Sequence, residues 1–216
     1  MKSILIIGIG RFGSHLCMNL SRLDNEIMIV DQDEAKLEDL LPFVVSAKIG
    51  DCTNEKVLKS LGVGNFDLCF VCIGNNFQSS LEITSQLREL GAKYIVSKAN
   101  RDIHAKFLLK NGADEVIYPD RDIAEKVAVR FSANQVFDYV ELGNGYSIYE
   151  ISPLSEWIGH SIKDINFRAV YNANIIGVKA DGNMKLMPGP DYVFQKEEHL
   201  MVIGHQHDIE KIVKKL

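Results

Sequence analysis

The chain has 216 residues, 46% of them hydrophobic and 25% charged, and a formal net charge of −5. This composition suits one large globular domain or two small ones and excludes a disordered, collagen-like or disulfide-stapled chain. No cluster of Lys and Arg offsets the acidic balance, which argues against nucleic acid as the main partner, because phosphate contacts need clustered cations.

The first element expected is a buried strand, Ser3 to Ile7. Its apolar run is far shorter than the roughly 20 residues of a membrane span and lacks a small-residue cleavage site, so the expectation is a cytoplasmic protein. Strands follow at Ile27 to Asp31, Val44 to Ile49, Leu68 to Ile73, Tyr94 to Ser97 and Glu115 to Tyr118. Between them, helical patterns run near Phe12 to Leu23, Glu34 to Leu41, Glu55 to Leu61, Phe77 to Leu90 and Ile103 to Lys110. Gly91 and Gly112 stand just past the last two, where a left-handed cap favours glycine. Short β-branched runs alternating with helices predict an α/β fold, a Rossmann-like doubly wound sheet of six parallel strands.

A helix is then expected from about Ile123 to Ser132, with a smaller C-terminal α+β domain from about Asn134. The division is 1–133 and 134–216. The second part opens with a hairpin, Val136 to Leu142 and Tyr146 to Ile151, around Gly143-Asn144-Gly145. A second pair, Ile175 to Ala180 and Met184 to Leu186, surrounds Asp181-Gly182. A strand at Leu200 to Ile203 and a helix at Asp208 to Leu216 close the chain. About 80 residues make a marginal core alone, so this part is expected to lean on the first domain or on self-association.

The strongest chemical signal is Gly8-Ile9-Gly10-Arg11-Phe12-Gly13 between the first strand and first helix, with Asp31 ending the second strand. Gly8 permits a tight turn, Gly10 lets a pyrophosphate approach the backbone, and Gly13 lets the helix pack on the sheet. The helix N-terminus offers amides and a partial positive charge to the phosphates. Asp31 would accept from ribose hydroxyls and repel a 2′-phosphate, which disfavours NADP. Arg11 adds a charge beyond what a single pyrophosphate needs and suggests a further anionic group such as a terminal phosphate; the alternative is a solvated arginine at a helix start. Asp51, after the third strand, stands at the adenine edge, where it would accept from the adenine amino group or cap the helix beyond Thr53. Asn75 follows the fourth strand at the ligand-binding carboxyl edge. Lys98 follows the fifth, facing the phosphates or standing as a surface lysine.

Other signals point away from chemistry. Cys69 and Cys72 have Cys-x-x-Cys spacing, but residues three apart on a strand face opposite sides, so this pair reads as buried core, and the four cysteines read as free thiols of a reducing compartment. Tyr94-x-x-x-Lys98 and Tyr192-x-x-x-Lys196 share the spacing of a short-chain dehydrogenase pair, yet both lie in strand-like stretches, where four residues span roughly 13 Å. The histidines find no catalytic partner; His104 is expected on a polar helix, and four others scatter through the second domain. The nucleotide is therefore expected to be sensed rather than consumed. An NAD-dependent oxidoreductase remains the alternative, and a redox-sensing transcription factor would need a basic helix-turn-helix that is not apparent.

Beside the glycine turn with its arginine, Val30-Asp31 and Asp51-Cys52-Thr53, the first part holds a run from Ala113-Asp114 to Tyr118-Pro119-Asp120-Arg121-Asp122. The second part holds Ile162-Lys163-Asp164-Ile165-Asn166-Phe167-Arg168-Ala169 and Leu200-Met201-Val202-Ile203-Gly204. Through these segments nearly the whole chain resembles the RCK proteins, cytosolic regulatory subunits of Trk/Ktr-type potassium uptake systems with TrkA-N and TrkA-C domains. The resemblance implies a non-enzymatic protein that binds ATP, ADP or NAD(H), assembles as dimers and rings, and sits at the cytosolic face of the membrane on a potassium channel subunit. It assigns the phosphates to Gly8, Gly10, Arg11 and Gly13, the ribose to Asp31, and the adenine to Asp51 with Cys52. Asp120 stands where relatives carry a glutamate that helps bind a divalent cation beside the phosphates. Some relatives bind cyclic di-AMP in the small domain, in a groove matched here by Ile162, Ile165, Phe167, Arg168, Asn174 and Ile175; the alternative for these six is an ordinary core with one exposed arginine.

Overall fold

The computed structural model describes residues 1–132 and 135–216. The domain start expected near Asn134 falls outside the described residues. Two compact units are formed, Met1–Asp120 and Arg121–Leu216. Among the described residues, no helix is long and apolar enough to cross a membrane.

The first unit is a six-stranded parallel sheet in the order β3-β2-β1-β4-β5-β6. The strands are β1 (Ser3–Ile7), β2 (Glu26–Asp31), β3 (Ser46–Ile49), β4 (Leu68–Val71), β5 (Ile95–Lys98) and β6 (Glu115–Ile117). Helices α1 (Arg11–Ser21), α2 (Ala35–Glu38), α3 (Glu55–Leu61), α4 (Phe77–Glu89) and α5 (Asp102–Lys110) connect them. β1 lies at the centre and is buried on both sides, and its period of two divides the core. Ile4 and Ile6 join one apolar cluster, Leu5 and Ile7 the other, as alternating side chains require.

Cys69 belongs to one cluster and Cys72 to the other, and all four cysteines are free and buried. The helix expected from Glu34 to Leu41 is confined to Ala35–Glu38, followed by a 3-10 turn over Leu41–Phe43. Pro42 explains the break, since a proline ring clashes with the preceding helical turn. His104 corrects the reading of a polar helix: it is 2% exposed and tilts against the Phe77 ring at 4.8 Å between centroids.

Helix α6 runs Pro119–Ser132, one turn earlier than expected, with the proline at a first-turn position that needs no backbone donor. Asp120 therefore lies in a helical first turn. The second unit is an antiparallel sheet in the order β10-β9-β11-β8-β7. Its strands are β7 (Val136–Gly143), β8 (Tyr146–Ile151), β9 (Ala173–Ala180), β10 (Asn183–Leu186) and β11 (His199–His205). Both expected hairpins form. Asp181 (φ 49°) and Gly182 (φ 76°) are both left-handed, as a two-residue turn matched to strand twist demands. Helix α8 (Gln206–Val213) closes the unit, and a short α7 (Phe167–Tyr171) that the sequence did not suggest lies before β9. The core centres on Trp157, Phe167 and Phe194, each under 3% exposed, with Trp157 and Phe167 edge to face at 5.2 Å, a favoured aromatic geometry.

Candidate nucleotide-binding site

β1 and β4 are neighbours, yet their connections leave in opposite directions, so a crevice opens at the carboxyl edge of the sheet beside them, the place where open α/β sheets receive ligands. The glycine turn leaves β1 at this point. Gly8 adopts φ 92°, and a Cβ there would stand 2.9 Å from Ile73 Cγ1, so a side chain is excluded by conformation and by space. A Cβ on Gly13 would stand 2.2 Å from the Gly8 carbonyl oxygen, whereas around Gly10 nothing lies within 4 Å. Two glycines thus bring helix and turn together, and the third leaves an open face for a ligand. Gly10 is the N-cap of α1 and supplies no side-chain cap, so the first-turn amides have no side-chain cap there and are suited to an anion. Arg11 is exposed on that first turn.

A cavity of about 340 Å³ extends from Gly8 along the sheet edge, walled by Asp31, Gln32, Asp33, Lys36, Gly50, Cys52, Thr53, Ile73, Asn76, Ser79 and Ile83, among others. Among the residues expected in the site, Gly8, Asp31 and Cys52 line it. Asp31 is held firmly: Oδ2 accepts from the Ile9 amide at 2.7 Å, and Oδ1 accepts from the Asp33 amide at 3.0 Å and Lys36 Nζ at 3.3 Å. Burial pushes its carboxyl pKa up, but these donors outweigh that and hold it below the ordinary value, so it is an anion ready to accept from hydroxyls. Burial, with the nearby Asp51 and Asp31 charges, pushes the Cys52 thiol up to about 12, which makes it an apolar wall rather than a nucleophile.

Asp51 does not line the cavity; its Oδ1 accepts from Thr53 Oγ1 at 2.7 Å and the Thr53 amide at 2.9 Å, while the cap of α3 is Asn54. Asn75 is exposed, and the wall is built by its neighbour Asn76, which caps α4 by accepting from the Ser79 amide at 3.0 Å. An asparagine directly before the helical pattern was the available signal for that cap. Lys98 lies outside the cavity wall, 5.7 Å from the Phe12 ring centroid, so Phe12 and Lys98 meet beside the turn. A Cβ on Gly74 would stand 3.1 Å from Lys98 Nζ.

Asp120 is exposed, and among the described residues no group of three His, Cys, Asp or Glu side chains is arranged to hold a metal. In the second unit, Phe167 is 2% exposed, and Ile162, Ile165 and Ile175 pack partly buried against the same core. Arg168 and Asn174 are exposed. Neither Tyr–Lys pair lies on a helix: Lys98 ends β5, and Tyr192 and Lys196 lie in irregular structure.

Residues 4–119 match the TrkA-N domain and residues 146–216 the TrkA-C domain. The chain is 40% identical over 215 residues to Ktr system potassium uptake protein C of Bacillus subtilis, covering 100% of this chain and 97% of that protein. It is 36% identical over 210 residues to Ktr system potassium uptake protein A of the same organism, covering 97% and 95%. Its fold is that of the GsuK channel solved bound to NAD, with a TM-score of 0.69 at 19% identity; 96% of this chain is aligned and spans 38% of that one. The chain therefore belongs to the TrkA-N/TrkA-C family of Ktr- and Trk-type potassium uptake proteins.

Proposed function

We propose that this chain is the cytosolic regulatory subunit of a potassium uptake system, that it senses an adenine nucleotide in its first unit, and that it catalyses no reaction. The observation that carries the reading is the open glycine turn, with the exposed Arg11 on the first turn of α1 and the Asp31-lined cavity running from it. Phosphates would lie on the uncapped α1 amides and the ribose on Asp31, with the base between the Gln32–Thr53 wall and Ile73 and Ile83. A dinucleotide needs one pyrophosphate cradle, which the turn alone would supply. Arg11 gives the site a further cation, suited to a terminal phosphate. Among the described residues, no histidine or tyrosine lines this cavity; the sensing reading rests on the kinship to Ktr uptake proteins. The partner in this reading is a membrane potassium channel subunit, bound at the cytosolic face by a self-associated ring of these chains, as the kinship to Ktr uptake proteins supports. Differential attraction of Arg11 to ATP and ADP would favour different arrangements of the ring, and so different potassium fluxes.

Calorimetric titration of wild type and Arg11→Ala with ATP, ADP, NADH and NADPH tests the reading. ATP is expected to bind about tenfold more tightly than ADP, the worth of one charge-assisted hydrogen bond of about 1.5 kcal/mol. Arg11→Ala should erase that preference, and NADPH should bind more weakly than NADH because Asp31 repels a 2′-phosphate. Equal affinity for ATP and ADP in wild type, unchanged in Arg11→Ala, would contradict it.

A further inference from the structure

Asp31 is expected to receive ribose hydroxyls, yet its shortest hydrogen bond points elsewhere. Oδ2 accepts from the backbone amide of Ile9 at 2.7 Å, the residue between the first two glycines of the turn. Three contacts fix that turn. The Gly8 amide donates to the Val30 carbonyl at 2.9 Å, and the Ser14 amide donates to the Gly10 carbonyl at 2.9 Å. Between these, the only side chain holding the turn's backbone among the described residues is Asp31. Gly8 sits at φ 92° with no Cβ of its own, and glycine surrenders more backbone freedom on being fixed than any other residue. A charge-assisted bond on the next amide opposes that freedom. The side chain is only 11% exposed, so water competes weakly for the same lone pair.

We infer that Asp31 is a positioning residue for the phosphate turn as well as the acceptor for ribose, so that one carboxylate couples recognition of the two halves of the nucleotide. The phosphate half of this inference rests on the nucleotide-binding reading above. The coupling follows from the acceptor capacity of a carboxylate, roughly four lone-pair sites. Ile9, Asp33 and Lys36 occupy three of them. A ribose hydroxyl takes the remaining one, and a second hydroxyl must displace Lys36, whose bond at 3.3 Å is the longest of the three. The Ile9 bond is left in place, and the turn is held in its phosphate-ready shape while the ribose docks.

The sign of the electrostatics makes the inference testable with a ligand that has no ribose. A carboxylate near a phosphate chain repels it, so on Coulomb grounds alone any neutral replacement of Asp31 tightens binding of inorganic tripolyphosphate. Positioning predicts the opposite for Asp31→Ala, which removes the acceptor, and rescue in Asp31→Asn, whose amide oxygen still accepts from Ile9. Tripolyphosphate affinity is expected to fall at least fivefold in Asp31→Ala and to stay within twofold of wild type, or improve, in Asp31→Asn. Amide hydrogen exchange of the ligand-free full chain supplies an independent readout. Peptides covering 8–13 should exchange faster in Asp31→Ala but not in Asp31→Asn, while peptides from β4 stay unchanged in both. If Asp31→Ala does not fold, Asp31→Ser takes its place, with the same expected order.

Equal or tighter tripolyphosphate binding in Asp31→Ala than in Asp31→Asn, with unchanged exchange of the turn, would overturn the inference. Absence of ATP and tripolyphosphate binding in wild type would instead remove the nucleotide reading and the coupling drawn from it, while the exchange comparison would still decide whether Asp31 shapes the turn.

Discussion

The two compact units differ in where they put the residues expected to meet ligands. In the first, the expected site residues Gly8, Asp31 and Cys52 converge on a cavity at the carboxyl edge of a parallel sheet. In the second, Phe167, Ile162, Ile165 and Ile175 converge on the core of an antiparallel sheet. The difference is topological. Parallel strands all end at the same edge, where helix N-termini and loops face outward with unpaired amides. Antiparallel strands alternate ends, and here Ile162, Ile165 and Phe167 pack into the core while Lys163, Asp164 and Asn166 between them stay exposed.

Substitution at the turn offers the largest effect that could break this contrast. Gly13→Val puts a side chain where a Cβ would already stand 2.2 Å from the Gly8 carbonyl oxygen. Helix α1 must move off the turn, and ATP affinity should fall by about a hundredfold or more, since loss of the turn's shape removes several phosphate hydrogen bonds together. Calorimetry checks this, and the fluorescence of Trp157, in the other unit, should keep its native spectrum. Phe167→Ala should do the reverse. Deleting a large buried aromatic costs about 3–5 kcal/mol, read as a loss of unfolding free energy by urea titration at Trp157, while ATP affinity stays within twofold. A large change of ATP affinity in Phe167→Ala would mean that the two units do not divide the work in this way.

The glycine turn and its acid were legible because their physics is local. Gly8, Gly10, Gly13 and Asp31 act through backbone conformation and one strand of separation, and spacing alone reports them. The far wall was not legible in the same way. Asn76 and Ser79 reach the cavity only because the strand order puts β4 beside β1, and the expectation fell on Asn75, one residue short of the helix cap. Asp51 lies in the loop before the cavity-lining Cys52 and Thr53, but Thr53 engages its carboxylate. In the second unit the Asn-Gly and Asp-Gly turns announced both hairpins. The meeting of Trp157, Phe167 and Phe194 did not show, because segments far apart in sequence form it and the five-residue α7 is too short for a periodic pattern.

His104, buried in the first unit, should add a small pH dependence to its stability. Burial, assisted by the Arg101 charge, lowers its pKa below the ordinary histidine value, so folding favours its neutral form. As pH falls below about 6.5 the unfolded chain takes up a proton that the folded chain resists, and stability declines through that window. The urea midpoint should therefore drop between pH 7.5 and 5.5 in wild type, and drop less in His104→Gln. An equal drop in both would assign the loss to other groups.

This chain is expected to control potassium flux according to the nucleotide on its glycine turn. Rubidium uptake into proteoliposomes holding a Ktr-type membrane subunit, with this chain added in its ATP-loaded or ADP-loaded form, measures that directly. The predicted result is a different uptake rate with ATP than with ADP, abolished in Gly13→Val. The same rate in both nucleotides, or a rate indifferent to adding the chain, would contradict it.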